Sequence, residues 1–198
     1  MSSSTPFEPR DIARIAVFAA IIIALGAVII PLPGGIPITG QTLGVMLAGA
    51  ILGARRGTLA VTVVLVLAAI GLPVLAGGRG GLIVFVSPTS GYLIGWLAGA
   101  FITGLIAHSG AKISWLRTLA GAVIGGVLAV YAFGIPVQTI MMNLPPDAAL
   151  LAAVPFLPGD LIKAVATAVL VSALYRAYPR AFPFSSKAVE QEKHVASA

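Results

Sequence analysis

The stretch SGYLIGWLAGAFITGLIA, residues 90–107, decides the fold. It holds no Asp, Glu, Lys or Arg, and the charge-free run around it extends from Gly80 to Ala111. A helix needs about 20 predominantly apolar residues to cross a bilayer's hydrocarbon core. Just before it stands Ser87-Pro88-Thr89-Ser90. Ser and Thr oxygens accept from the free N–H groups of a helix start, so the span has a natural beginning.

Outward from this segment the pattern repeats. No charged residue occurs from Ile15 to Ala54, Gly57 to Gly78, Thr118 to Pro146 or Ala148 to Gly159. Of the 198 residues, 59% are hydrophobic and 9% charged, against about 25% charged in a soluble domain. So much apolar surface cannot be hidden in a soluble fold of this size. Composition therefore excludes an ordinary soluble enzyme, a nucleic-acid-binding domain and a disordered chain. The net charge of +6 is what cytoplasmic anchors of a membrane protein supply, and calls for no nucleic acid. Without cysteine there is no disulfide framework and no Cys-based metal site.

The expected fold is an all-α integral membrane protein, a bundle of six transmembrane helices at about 13–30, 41–53, 58–75, 90–107, 118–135 and 160–177. The second helix is short; at 1.5 Å per residue it covers roughly 20 Å, less than the roughly 30 Å core. Pro31, Pro33, Gly34, Gly35 and Pro37 are expected to end helix 1, and Pro73 with the run Gly77 to Gly81 to end helix 3. Pro136, Pro145, Pro146, Pro155 and Pro158 predict an irregular 136–159 that folds back over the protein. The chain divides into a cytoplasmic segment 1–12, a membrane domain 13–180 and a polar, disordered tail 181–198. Glu8 and Asp11 precede the first apolar run, so it reads as a retained helix rather than a signal peptide.

Placing both termini in the cytoplasm leaves only Arg79 outside and Lys163 within a helix, with every other Lys and Arg inside. The opposite orientation would reverse that bias, so the positive-inside rule puts both termini in the cytoplasm.

Polar groups inside a membrane are costly and ask for an explanation. Asp160 and Lys163 lie three apart and project to one side of helix 6. They form either a polar ligand site or a helix cap, with Asp160 capping after Pro158-Gly159 and Lys163 pairing with it; the two are compatible. Arg79 sits between glycines that let backbone N–H groups approach a ligand, although a loop cation is also simply solvated. Gln41, Thr42, Ser87, Thr89, Tyr92, Gln138 and Asn143 stand near outer helix ends, as caps or helix-to-helix bonds. Ala16, Ala20 and Ala24 line one face of helix 1, Gly91, Gly95 and Gly99 one face of helix 4, and Gly121 and Gly125 helix 5. Such faces allow close helix approach in lipid. For helices 4 and 5 that means internal packing; for helix 1 internal packing and an external contact remain open. There is no catalytic constellation, metal-ligand cluster or phosphate-binding loop, so energy must come from a partner or a gradient.

Taken together, Thr39-Gly40-Gln41-Thr42-Leu43-Gly44, Leu52-Gly53-Ala54-Arg55-Arg56-Gly57, Gly71-Leu72-Pro73-Val74, Ala76 to Gly81, Ser87-Pro88-Thr89-Ser90-Gly91-Tyr92 and Leu157-Pro158-Gly159-Asp160-Leu161-Ile162-Lys163 resemble the BioY family. The resemblance spans about residues 10–180 and lies in joint order and spacing. BioY proteins are the biotin-binding substrate components of energy-coupling-factor (ECF) vitamin transporters, six-helix proteins of the bacterial cell membrane.

The resemblance implies a biotin site on the outer side, built from the loop after helix 3, the start of helix 4 and helix 6. By position Asp160 and Lys163 match its polar pair, with Arg79 and Tyr92 in the matching loop and helix start. It implies no cofactor in this chain. It also implies docking through Ala16, Ala20 and Ala24 onto a transmembrane coupling protein joined to two ATPase subunits, which use the ATP. Some members transport without the full module, as homo-oligomers. The rivals are a substrate component for riboflavin or thiamine, whose ring systems call for more aromatic neighbours than Phe85, Tyr92 and Phe156, and an intramembrane lipid-modifying enzyme.

Overall fold

The computed structural model describes residues 8–30, 38–110 and 112–182. The prolines and glycines expected to end helix 1, and the tail beyond Phe182, lie outside the described residues.

Six helices form the bundle: α1 (Pro9–Leu25), α2 (Gln41–Leu52), α3 (Ala54–Ala69), α4 (Ser90–Ala107), α5 (Trp115–Met141) and α6 (Pro146–Ala177). The last three are each long and apolar enough to cross a membrane. A two-stranded antiparallel ribbon, β1 (Ile29–Ile30) with β2 (Ile38–Thr39), pairs Ile29 with Thr39 and Ile30 with Ile38.

Helix α1 begins earlier than hydropathy predicts. Pro9 takes its first turn, where no N–H is needed, and Glu8 with Asp11 forms a reciprocal capping box. Asp11 is buried and also accepts from Arg56 at 2.8 Å, tying the start of α1 to the start of α3. The face Asp11, Ile15, Ala19 and Ile22 packs inward. After Gly26 the chain turns into the ribbon, so the helix stops short of the expected 30.

Helix α2 is the short one, and most of its residues are buried. It packs against α1, α3, α4 and α6, so its exposure to lipid is slight, as a helix apolar all round should be. Gly53, at φ 81°, makes the whole turn into α3. That φ favours glycine, and it starts α3 four residues earlier than expected. Beside the turn, His108 Nε2 lies 2.8 Å from the Ala50 carbonyl.

The small residues of α4 and α5 pack inward. A Cβ on Gly91 would stand 2.4 Å from the Phe133 carbonyl, and one on Gly125 2.5 Å from Thr103 Oγ1. Gly95 and Gly99 face Val130, and Gly121 faces the Thr103 carbonyl. Over Ala122–Ala129, α5 widens to i→i+5 hydrogen bonding.

The expectation of an irregular 136–159 is wrong. Pro136 lies inside α5, and Pro146–Ala153 and Leu157–Ala177 are α-helical with a tighter turn, Val154–Phe156, between them. Pro146 opens α6, where a missing N–H costs nothing, and Pro155 and Pro158 stand at the start of the tighter turn and of the α-helical segment that follows it. Pro136 forfeits one intrahelical bond, a loss that transmembrane helices tolerate when packed on neighbours.

Candidate ligand cavity

Asp160 sits in the first turn of Leu157–Ala177 and is only 6% exposed. Its two oxygens have different partners. Lys163, one turn on, donates to Oδ1 at 2.9 Å, and Tyr131 of α5 donates to Oδ2 at 2.6 Å. Lys163 also donates to Thr42 Oγ1 of α2 at 2.9 Å. Three helices thus meet on one ion pair. No side-chain cap is made at the start of this helix, so the cap expected of Asp160 is not what its carboxylate does. Phe156 and Leu157 already carry the chain into helix ahead of it.

This pair lines a cavity with an empty volume, open mouth included, of about 730 Å³. Leu75, Leu93, Trp96, Val130 and Phe156 give it an apolar wall. A mainly apolar cleft with a few placed polar groups is the usual form of a small-molecule site. Tyr92 lies on the wall, donates to Gln138 Oε1 at 2.8 Å, and meets the Tyr131 ring edge-on with centroids 6.3 Å apart. Gly134 makes room for it, since a Cβ there would stand 2.3 Å from the Tyr92 ring.

Arg79 is at the rim, exposed, and reaches across the mouth. Its Nη1 donates to Thr89 Oγ1 at 3.2 Å and its Nε to the Ala76 carbonyl at 3.2 Å. The structure therefore brings Asp160, Lys163, Arg79 and Tyr92 to one cavity. The cavity is lined from the starts of α2, α4 and Leu157–Ala177, whereas Arg55 and Arg56 follow the far end of α2. Ala16, Ala20 and Ala24 are elsewhere, exposed on the outward face of α1.

Chemically, the carboxylate is a strong acceptor whose charge is balanced on the spot. Of the ammonium's three donors, two are engaged, which leaves one for a ligand. Among the described residues no cluster of His, Asp and Glu could hold a metal ion. Tyr131 and Trp96 were missed by sequence reasoning. The only signal for Tyr131 was a hydroxyl in an apolar helix, which needs a partner when buried; that partner lies 29 residues away.

Comparison with known proteins bears on the family and the fold. The BioY family matches residues 1–180. The protein named biotin transporter BioY in Rhizobium etli is 48% identical over 179 residues, 86% of this chain and 95% of that protein. The protein of the same name in Rhodobacter capsulatus is 49% identical over 183 residues, 87% of this chain and 96% of that one. A crystal structure of the S-component for biotin from an ECF-type ABC transporter superposes with a TM-score of 0.78 at 37% identity, covering 84% of this chain and 91% of that one. A match across the whole membrane bundle, with relatives of nearly the same length and a solved structure of the same architecture, leaves one assignment: the chain belongs to the BioY family.

Proposed function

We propose that this protein is the biotin-binding substrate component of an ECF-type transporter, taking biotin from outside and releasing it to the cytoplasm when coupled to an ATP-driven module. The observation that carries the reading is Asp160 held between Lys163 and Tyr131 on the wall of an otherwise apolar cavity. Biotin's ureido ring offers two N–H donors and one carbonyl. Asp160 accepts from an N–H, and the remaining ammonium proton of Lys163 goes to the carbonyl. The thiophane ring and valerate chain take the apolar wall around Trp96 and Leu93. The carboxylate lies toward the mouth, where Arg79 is the cation. Tyr92 packs against the ligand while Gln138 holds its hydroxyl.

In this reading the chain is no enzyme and uses no cofactor; ATP hydrolysis belongs to two ATPase subunits. They act through a transmembrane coupling protein that docks on the exposed face of Ala16, Ala20 and Ala24. The protein works as a multi-pass component of the bacterial cell membrane, with its basic end in the cytoplasm.

Binding of radiolabelled biotin to the purified protein tests the reading. Saturable binding displaced by unlabelled biotin, and not by equal riboflavin or thiamine, is expected. Displacement by either of those vitamins instead would assign the cavity to another cargo.

A further inference from the structure

Gln41 opens α2 and is 1% exposed. Its side-chain amide reaches the loop after α3. Nε2 donates to the Val74 carbonyl at 3.1 Å, and Oε1 accepts from the Ala76 N–H at 2.9 Å. The carbonyl of one residue and the N–H of the residue two further on are the pair that one residue of a parallel strand engages. The Gln41 amide therefore substitutes for a neighbouring strand along Val74-Leu75-Ala76.

The opposite edge of this short segment is paired as well. Leu75 N–H donates to the Arg79 carbonyl at 3.0 Å, and Arg79 N–H to the Leu75 carbonyl at 3.2 Å. Gly77 and Gly78, at φ 75° and 69°, close the turn between them in a conformation suited to glycine. Segment 74–76 is thus hydrogen-bonded along both edges, to Gln41 on one side and Arg79 on the other. Gln41 is itself wedged: a Cβ on Gly26, at the end of α1, would stand 3.1 Å from its amide. One buried side chain joins the ends of α1 and α2 to the loop that carries Arg79 across the mouth.

We infer that Gln41 is a positioning residue for ligand retention, fixing the Leu75–Arg79 turn over the cavity so that its arginine stays at the mouth. This rests on the biotin reading of the cavity. Gln41 acts through the loop, so its loss chiefly speeds escape of bound ligand.

The test exploits the amide's double role. Gln41→Glu keeps an acceptor for Ala76. When protonated it also keeps a donor for the Val74 carbonyl; when ionised it sets a negative oxygen against that carbonyl. Acid pH favours the protonated form and alkaline pH the ionised one. Dissociation of labelled biotin is followed from wild type and Gln41→Glu at pH 8 and pH 5.5. Asp160, Lys163, Arg79, Tyr92 and Tyr131 face the same cavity in both proteins, so each variant is compared with the wild type at the same pH. The expected result is dissociation roughly tenfold faster than wild type at pH 8, as for one lost hydrogen bond, returning most of the way to the wild-type rate at pH 5.5. Gln41→Leu, lacking both groups, should be fast at both values. Equal rates for wild type and both variants would overturn the inference, as would a Gln41→Glu defect that is the same at both pH values. If the wild type itself does not bind biotin, it is the assignment of the cargo that fails.

Discussion

The Tyr131 hydroxyl stands 2.6 Å from Oδ2 of Asp160, joining the middle of α5 to the start of Leu157–Ala177 across the cavity wall. Because Lys163 holds the other oxygen, the carboxylate cannot rotate away from the cavity without breaking two charge-assisted bonds. Tyr131→Phe keeps the ring and its edge contact with Tyr92 but removes the donor. Biotin binding should weaken about three- to tenfold, the loss expected when one bond that orients a ligand group goes. Isothermal titration of the two purified proteins reads this directly; an unchanged affinity would make the tyrosine a packing residue.

Removing either charge should cost more. Asp160→Asn leaves a weaker acceptor, and Lys163→Ala leaves a buried carboxylate without its cation and a ligand carbonyl without its donor. Loss of a charged hydrogen bond predicts roughly ten- to a hundredfold weaker binding in each case. Because the two groups bond to each other, the double variant should be less impaired than the product of the single losses. Normal binding by both folded single variants would remove the pair from the site.

How much of this was legible in the sequence differs from residue to residue. Charge-free runs located the helices because a bilayer admits few other patterns. Asp160 and Lys163 stood out because ions are rare there and their spacing puts them on one side of a helix. Tyr131 and Trp96 did not stand out, since an aromatic residue in an apolar helix looks like packing. Gln41 was visible only as a polar group near a helix end, because the loop atoms it holds are distant in sequence. The prolines of 136–159 misled for a different reason: a proline ends a helix from within but suits its first turn, and one dimension does not distinguish the two. The cavity wall is also richer in aromatic rings than a biotin site needs. Trp96 and Tyr131 line the cavity whereas Phe85 does not, so the preference for biotin rests on the polar pair and the family.

At the other end of the bundle, burial holds the pKa of His108 below its usual value near 6.5, with its contact to the Ala50 carbonyl opposing in part. The unfolded chain therefore takes up a proton before the folded chain does as pH falls. Where the unfolded state binds more protons, stability rises with pH. Stability should thus decline as pH drops below about 6.5 and level off below the folded-state value. Thermal unfolding in detergent at pH 7.5 and 5.5 should show a lower melting temperature at the acid value, by a margin that is smaller in His108→Gln. An equal fall in that variant would assign the acid sensitivity to another group.

The last expectation separates binding from transport. Ala16, Ala20 and Ala24 recur every four residues and are exposed on α1, while Ile15, Ala19 and Ile22 pack inward. Small side chains in that register let a second helix come close in lipid, where packing rather than the hydrophobic effect drives association. Ala16 and Ala20 lie toward the Arg56 end of the helix, where a cytoplasmic module would attach, and they line no part of the cavity. Bulky side chains there should block docking without reaching the bound ligand. Ala16→Trp with Ala20→Trp is therefore expected to bind biotin with wild-type affinity, while losing co-purification with the coupling protein and module-dependent uptake. Because both positions face outward, the variant should fold. If affinity and folding fail together with uptake, the face supports the bundle itself. If wild-type cells lacking the module still accumulate biotin and the double variant does not, the same face joins copies of this chain to one another.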